Sequence, residues 1–179
     1  MQEKTMSRVD ELVKAGRAAQ EKVANYTQEQ IDEVCLAAAW ALYNDENVHA
    51  MASLAVEETG YGNYESKVTK HKRKVGGAIE GVIGKVSVGL IERDEEKGIS
   101  KYAKPVGLVC AILPATNPTA TAGTKAVAIL KGRNAVIFRP SSRARKASSL
   151  AIEYMRDALR RIGAPEDLVQ IYPDATIET

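Results

Sequence analysis

The sequence has few of the residues that several classes of site require. Among 179 residues there are two cysteines, Cys35 and Cys110, and two histidines. Their wide spacing gives no metal-site pattern, and no metal is expected. Both cysteines lie in apolar runs, which predicts buried thiols in a reducing cytoplasm rather than a disulfide. A reactive thiolate needs an exposed, electropositive setting, so neither cysteine is expected to be a nucleophile.

Excess charge and long apolar runs are also absent. The formal net charge of +2 is nearly balanced, which gives no reason to expect nucleic acid as a partner. No apolar run approaches the roughly 20 residues that a membrane-spanning helix needs. Residues 1–10 are polar and charged, unlike a secretory signal. The sequence therefore predicts a cytoplasmic globular protein without a membrane partner.

What is present in residues 1–84 is the periodicity of helices. Thr27 and Gln30 match a capping box, in which each side chain satisfies a free backbone donor of the other residue. Apolar residues then recur at helical spacing, and two further segments of the same kind follow. The predicted helix starts are Ser7, Thr27, Asn44 or Asp45, and Asn63, and Gly60 is a predicted stop.

Residues 85–104 have the alternation of strands instead. Val86, Val88 and Leu90 alternate with smaller or polar residues, and residues 94–98 form a charged turn that ends in glycine. Residues 99–103 can return as a second strand, which predicts a protruding antiparallel hairpin. An isolated two-stranded hairpin is marginally stable in water. We therefore expect this hairpin to serve self-association in a homo-oligomer.

Residues 105–179 alternate between strands and helices. The continuous apolar run at 106–113 predicts a strand buried on both faces. A helix over 118–130, a strand over 135–138, a helix over 143–162 and a strand over 168–172 follow. This order predicts a parallel sheet with right-handed crossovers. The expected fold class is α/β, with N-terminal helices, a protruding β-hairpin and the first half of a Rossmann-like parallel sheet. A complete small α/β protein is the alternative to a truncated or split chain.

The most specific motifs lie within residues 105–142. They are Pro-Ala-Thr-Asn-Pro-Thr at 114–119, Lys-Gly-Arg-Asn at 131–134 and Ile-Phe-Arg-Pro-Ser-Ser at 137–142. These motifs resemble the aldehyde dehydrogenase superfamily, in which the first sheet strand ends in a Pro-x-Asn-x-Pro type turn and the second ends in Lys-Pro-Ser-Glu. The first turn is similar to that of the CoA-acylating branch. The resemblance covers nearly the whole chain, and it implies the aldehyde dehydrogenase fold.

The resemblance implies a cofactor site at two strand ends, because ligands of open α/β sheets bind beyond the carboxyl ends of the strands. The first end would face a nicotinamide ribose and the second an adenosine ribose. A Gly-x-Gly-x-x-Gly fingerprint is absent from the chain. NAD is the expected cofactor, but NADP stays open because Ser142 replaces the family's ribose-binding glutamate. The candidate cofactor-binding residues are Ile112, Leu113, Pro114, Ala115, Thr116, Asn117, Arg139, Pro140, Ser141 and Ser142.

The catalytic cysteine of the family is a further expectation from the resemblance. Its thiohemiacetal gives a hydride to the nicotinamide, and CoA then takes the acyl group from the thioester. This cysteine follows a glycine-rich turn, and this sequence contains neither segment, so the chain alone is expected to be inactive. Asn117 is the candidate oxyanion donor, although an ungapped alignment from Pro114 places Thr116 at the family's asparagine.

The implied function is that of the N-terminal part of an acylating aldehyde dehydrogenase. Such an enzyme converts a short aldehyde, NAD(P)⁺ and CoA to acyl-CoA and NAD(P)H. Acetaldehyde, propionaldehyde and sulfoacetaldehyde remain open as substrates. One alternative is a non-catalytic nucleotide-binding or oligomerisation module. Another is a glutamyl-phosphate-reductase-like enzyme of the same superfamily, which the Asn-Pro-Thr turn at 117–119 disfavours.

Two basic clusters lie outside these motifs. The cluster at residues 67–74 predicts a solvated helix face. Arg143, Arg145 and Lys146 lie at a predicted helix start, where the helix dipole disfavours cations. They are either simple surface charge or a site for an anionic partner, such as a phosphate of CoA or of the cofactor.

Overall fold

The computed structural model describes residues 7–172. The other residues of the predicted segments, 1–6 and 173–179, lie outside this range. The predicted order of helices, hairpin and parallel sheet is confirmed. The elements are α1 (Arg8–Val23), α2 (Gln28–Tyr43), α3 (Asp45–Thr59), α4 (Tyr64–Val82), β1 (Gly89–Asp94), β2 (Ile99–Ala103), β3 (Leu108–Ile112), α5 (Pro118–Lys131), β4 (Ala135–Arg139), α6 (Arg145–Arg161), a 3-10 turn (Glu166–Leu168) and β5 (Val169–Ile171).

The four N-terminal helices begin at the residues that the sequence indicated. Ser7 and Thr27 each form a complete capping box. Asn44 and Asn63 cap α3 and α4 through side-chain oxygens that accept hydrogen bonds from backbone N–H groups. Caps of this kind contribute about 1 kcal/mol each. Gly60 ends α3 with a φ of 66°, a left-handed conformation that glycine adopts without strain.

The core lies where the N-terminal helices meet the crossover helices. Helix α2 packs against α4, α5 and α6, while α1 lies against the strands of the parallel sheet. Gly16 permits this close approach, because a Cβ there would come within 2.7 Å of the side chains of Leu108 and Gln170. Gln170 is buried and donates a hydrogen bond to the carbonyl of Leu12 at 2.9 Å. The sheet and the first helix are therefore joined by both packing and a buried polar contact.

The parallel sheet has the strand order β3-β4-β5, and β3 is at its edge. The prediction that residues 106–113 are buried on both faces is wrong. Ala111 and Leu113 are buried, but Cys110 is exposed and Ile112 is 66% exposed. Helix α1 meets β3 near Leu108, and the rest of that face is uncovered. The expectation of a buried Cys110 fails for the same reason.

The two thiols are expected to differ in reactivity. Cys35 is buried in α2, and burial raises the pKa of its thiol to about 12. Only a thiolate reacts with an aromatic disulfide reagent, so one thiol, that of Cys110, should react rapidly in the native chain at pH 8. Cys35 should react after denaturation, and Cys110→Ser should remove the rapid phase. Rapid modification of Cys35 in the native Cys110→Ser chain, or of both thiols in the native wild-type chain, would contradict this assignment.

The hairpin is antiparallel, but its first strand begins at Gly89 rather than at Val86. The backbone N–H groups of Ser87 and Val88 donate to the side-chain oxygen of Gln28, at 2.8 and 3.2 Å. These residues are therefore tied to the start of α2 instead of to β2. Several large apolar side chains of the hairpin are exposed, and self-association through them stays a prediction. They are Leu90, Ile91, Ile99 and Tyr102.

Two other elements differ from their predicted extents. Helix α6 is shorter than the expected 143–162, and its fully buried residues are Ala147, Ser148, Ala151, Ile152, Met155 and Leu159. Three further apolar residues of α6, Leu150, Tyr154 and Ala158, are only half-buried. The last strand is shorter than 168–172, because Leu168 belongs to the 3-10 turn.

Neither a membrane span nor a metal cluster is found in the part of the chain that the structure describes. No helix there has both the length and the apolar character needed to cross a bilayer. No three His, Cys, Asp or Glu side chains within residues 7–172 are grouped so that they could hold a metal ion.

Candidate functional site

The two turns that the sequence singled out lie side by side at the carboxyl edge of the parallel sheet. Ile112 and Arg139, the last residues of β3 and β4, are direct partners in the ladder. The backbone N–H of Leu113 donates to the carbonyl of Arg139 at 2.9 Å. The expected adjacency is therefore confirmed, because a single crossover helix makes these parallel strands neighbours.

The candidate cofactor-binding residues differ in what they present at this edge. Ile112, Pro114, Thr116 and Ser142 are exposed, and Ala115, Asn117, Arg139 and Ser141 are half-buried. Leu113 and Pro140 are buried, so their side chains belong to the core and only their backbones could face a ligand. The half-buried position of Arg139 agrees with a place at the edge rather than in the core. A role in cofactor binding stays a prediction for all ten residues.

Asn117 lies where the first turn enters α5. Its side chain makes no capping bond to that helix, and its amide donates to the hydroxyl of Thr116 at 3.3 Å. Asn117 and Thr116 form one wall of a cleft with a volume of about 260 Å³, which the first turns of α4 and the preceding loop complete. We call it the α4 cleft, and its lining residues are Tyr61, Gly62, Asn63, Ser66, Lys67, Lys70, Thr116 and Asn117.

The basic cluster of α4 is not the uniformly solvated face that its sequence predicts. Lys67 donates from Nζ to the carbonyl of Thr116 at 2.6 Å, and both Lys67 and Lys70 line the α4 cleft. Burial and the nearby charge of Lys70 lower the pKa of the Lys67 ammonium. Lys72 instead pairs with Asp45 on the surface. Two of the lysines are therefore directed at the first turn of the candidate site.

His71 lies beneath the cleft and joins three helices. Its Nε2 donates to the carbonyl of Leu42 in α2 at 2.7 Å, so the proton is on Nε2. The hydroxyl of Thr119 in α5 can then donate to Nδ1, 3.1 Å away. Burial lowers the pKa of the imidazole to about 4. Nothing in the sequence pattern revealed these two partners, which are distant along the chain.

The start of α6 has its anionic partner within the chain. The backbone N–H groups of Lys146 and Ala147 each donate to the carboxylate of Glu58 at 2.8 Å. Arg143 donates to the phenol oxygen of Tyr61, also at 2.8 Å. Glu58 therefore supplies a negative charge that offsets the helix dipole, and a phosphate site at the exposed Arg145 and Lys146 stays a prediction.

The Lys-Gly-Arg-Asn motif is structural. Arg133, with a φ of 58°, donates to the carbonyl of Ala24 at 2.6 Å and to that of Ala103 at 3.1 Å. The side-chain oxygen of Asn134 accepts from the N–H groups of Val106 and Gly107, at 2.7 and 2.9 Å. These contacts hold the end of α1, the end of β2 and the start of β3 together. The motif was conspicuous in the sequence, but its partners are distant along the chain.

The model of the aldehyde dehydrogenase family matches residues 1–179. The chain belongs to the aldehyde dehydrogenase family. The family implied by the two turn motifs is thus confirmed over the whole sequence.

Three relatives in this family place the chain more closely. It is 64% identical over 173 residues to the acylating sulfoacetaldehyde dehydrogenase of Bilophila wadsworthia strain 3_1_6. This alignment covers 97% of this chain and 37% of that protein. The acetylating aldehyde dehydrogenase of Geobacillus thermoglucosidasius has a TM-score of 0.90 and 36% identity, covering 94% of this chain and 37% of that one. Rhodopseudomonas palustris propionaldehyde dehydrogenase with bound propionyl-CoA has a TM-score of 0.82 and 29% identity. This match covers 94% of this chain and 37% of that chain.

The chain therefore spans little more than a third of these aldehyde dehydrogenases and corresponds to their N-terminal part. The names of the first two include acylating or acetylating activity, and the third is bound to an acyl-CoA. These relatives favour the acylating branch over the glutamyl-phosphate-reductase-like alternative.

Proposed function

We propose that this chain is the N-terminal part of a CoA-acylating aldehyde dehydrogenase that converts a short aldehyde, NAD(P)⁺ and CoA to acyl-CoA and NAD(P)H. The observation that carries the proposal is the hydrogen-bonded pair of turns at the carboxyl edge of the sheet. Ligands of open α/β sheets bind at this edge. The acylating character follows by similarity to the relatives described above.

The nicotinamide cofactor would supply the hydride acceptor, and the chain would bind and orient it. The donors at the paired turns fit a dinucleotide: Thr116 and Ser142 carry exposed hydroxyls, and the guanidinium of Arg139 can donate to ribose oxygens. No carboxylate stands at position 142 to repel a 2′-phosphate. NAD is our first choice, and NADP is compatible with the same residues.

Asn117 is the residue that we propose as oxyanion donor. Its amide lies at the junction of the first turn and the α4 cleft, where a carbonyl oxygen could approach it. A donor in this position stabilises the charge that develops on that oxygen when a nucleophile attacks. The nucleophile itself we place in the part of the longer relatives that this chain does not span.

The cofactor site can be tested by titrating NAD into the 1–179 chain and following backbone NMR shifts. We expect weak binding, with shifts concentrated at residues 112–117 and 139–142. Arg139→Ala should weaken binding by about 3- to 10-fold, as expected for the loss of a hydrogen bond. Arg161→Ala, at the exposed end of α6, is the matched control and should have no effect. Shifts confined to α1–α4, or equal effects of the two variants, would refute the site.

A further inference from the structure

The charge of the α4 cleft is of one sign. Its lining includes two ammonium groups, Lys67 and Lys70, and its eight described residues include no carboxylate. Burial and the like charge of the exposed Lys70 both disfavour the half-buried Lys67 ammonium and lower its pKa. A bound anion would relieve both costs. The cleft is therefore electrostatically suited to an anionic group.

The lysines are held at a fixed place relative to the proposed oxyanion donor. The Lys67 ammonium donates to the carbonyl of Thr116, the residue before Asn117. A lysine ammonium has three donors, so two remain for a ligand in the cleft. Tyr61 accepts a hydrogen bond from Arg143 and keeps its own hydroxyl proton to donate. The cleft thus combines an anchored cation, a second cation and a neutral donor on one side with Asn117 on the other.

We propose that Lys67 and Lys70 select aldehydes that carry a terminal sulfonate or carboxylate, binding that anion in the α4 cleft while the carbonyl lies at Asn117. The inference rests on the proposed function and adds the substrate class to it. The cleft volume of about 260 Å³ is near the lower end for small-molecule sites. A substrate of few heavy atoms, with its carbonyl and its acid group close together, fits this size.

The test uses the full-length enzyme that contains this chain and compares three aldehydes. Sulfoacetaldehyde and succinate semialdehyde carry an acid group, and propionaldehyde is uncharged. Lys67→Gln and Lys70→Gln remove one charge each while keeping a donor. Each should lower kcat/KM for the acidic aldehydes by about 10- to 100-fold, the range for a hydrogen bond to a charged group. The value for propionaldehyde should change much less, and Lys70→Arg should retain the preference.

Lys74→Gln is the matched control, because Lys74 is an exposed lysine of the same helix that does not line the cleft. This variant should have the same kcat/KM as wild type for all three aldehydes. Equal losses of kcat/KM for charged and uncharged aldehydes in the Lys67→Gln and Lys70→Gln variants would overturn the inference. A rise in the KM for CoA with unchanged kcat/KM for the aldehydes would also overturn it. Either result would assign the lysines to structure or to a CoA phosphate.

A binding measurement separates this inference from the proposed function. Isothermal titration calorimetry with ethanesulfonate reports on the anion site without turnover. We expect binding to the full-length protein that Lys67→Gln and Lys70→Gln weaken and Lys74→Gln does not. If no aldehyde is oxidised but this pattern holds, the proposed function fails and the anion site stands. If aldehydes are oxidised but neither Lys67→Gln nor Lys70→Gln changes the affinity for ethanesulfonate, the anion site is refuted and the proposed function stands.

Discussion

The isolated 1–179 chain is expected to oxidise no aldehyde when NAD and CoA are supplied, whereas under the proposed function the longer enzyme that contains it is expected to oxidise a short aldehyde. The family reaction needs a cysteine thiolate next to the oxyanion donor and the cofactor. Cys35 is buried in α2, and its thiol pKa of about 12 keeps it protonated. Cys110 is exposed, but it lies in the middle of β3 rather than beyond its carboxyl end.

The expected difference in rate is large. Removal of a catalytic nucleophile lowers turnover by about 10⁴-fold or more, so NADH formation by the isolated chain should be indistinguishable from that without protein. The assay follows NADH absorbance with acetaldehyde, propionaldehyde and sulfoacetaldehyde in turn. In the full-length enzyme, Cys110→Ser should leave turnover nearly unchanged. Turnover by the isolated chain that Cys110→Ser abolishes would show that the nucleophile is in this chain after all.

The features that were correct from sequence are those set by residues close together along the chain. Ser7 and Thr27 form their capping boxes with partners three residues away. Gly60 ends α3 because its own backbone adopts a left-handed conformation. The adjacency of the two turns also follows locally, since one helix joins β3 to β4 and a short crossover makes parallel strands neighbours. The family resemblance then assigned a role to that edge of the sheet.

The errors concern features set by distant residues. The exposure of Ile112 depends on which element covers its face of the sheet, and a continuous apolar run does not reveal where the helices pack. The caps on α6 come from Glu58, almost ninety positions earlier in the chain. Gln28 likewise accepts a hydrogen bond from the backbone of Ser87, a residue far along the chain, and the hairpin therefore begins only at Gly89. Hydrophobic period and composition contain no information about such pairings.

The candidate site shows the same division. The turn residues at 114–117 were found from their motif, because a family pattern marks them. Lys67 and Lys70 were assigned to a solvated face, since a run of lysines has that meaning in most helices. Only the packing of α4 against α5 shows that these two lysines approach Thr116 and Asn117. The fold therefore brings the turn that the motif identified and the two lysines that no motif identified into the α4 cleft.

His71, which lies below that cleft, should make the stability of the chain sensitive to mild acid. Its pKa is about 4 in the folded state against 6.5 for the free side chain, because burial disfavours the charged ring. The unfolded chain therefore binds more protons between these values, and the free energy of unfolding falls as the pH falls through this window. For these two pKa values, the loss between pH 7 and pH 5 is about 2 kcal/mol.

The measurement is urea denaturation at pH 7, 6 and 5, compared between wild type, His71→Gln and His49→Gln. His71→Gln can keep the donor to Leu42 but does not titrate, so it should lose most of the pH dependence. His49, the other histidine of the chain, is on the exposed side of α3 and serves as the control. Groups whose pKa is lowered, such as Asp45 and Asp94, stay ionised above pH 5 and do not mask the effect. An equal pH dependence in His71→Gln and wild type would show that the imidazole is not buried in its neutral form.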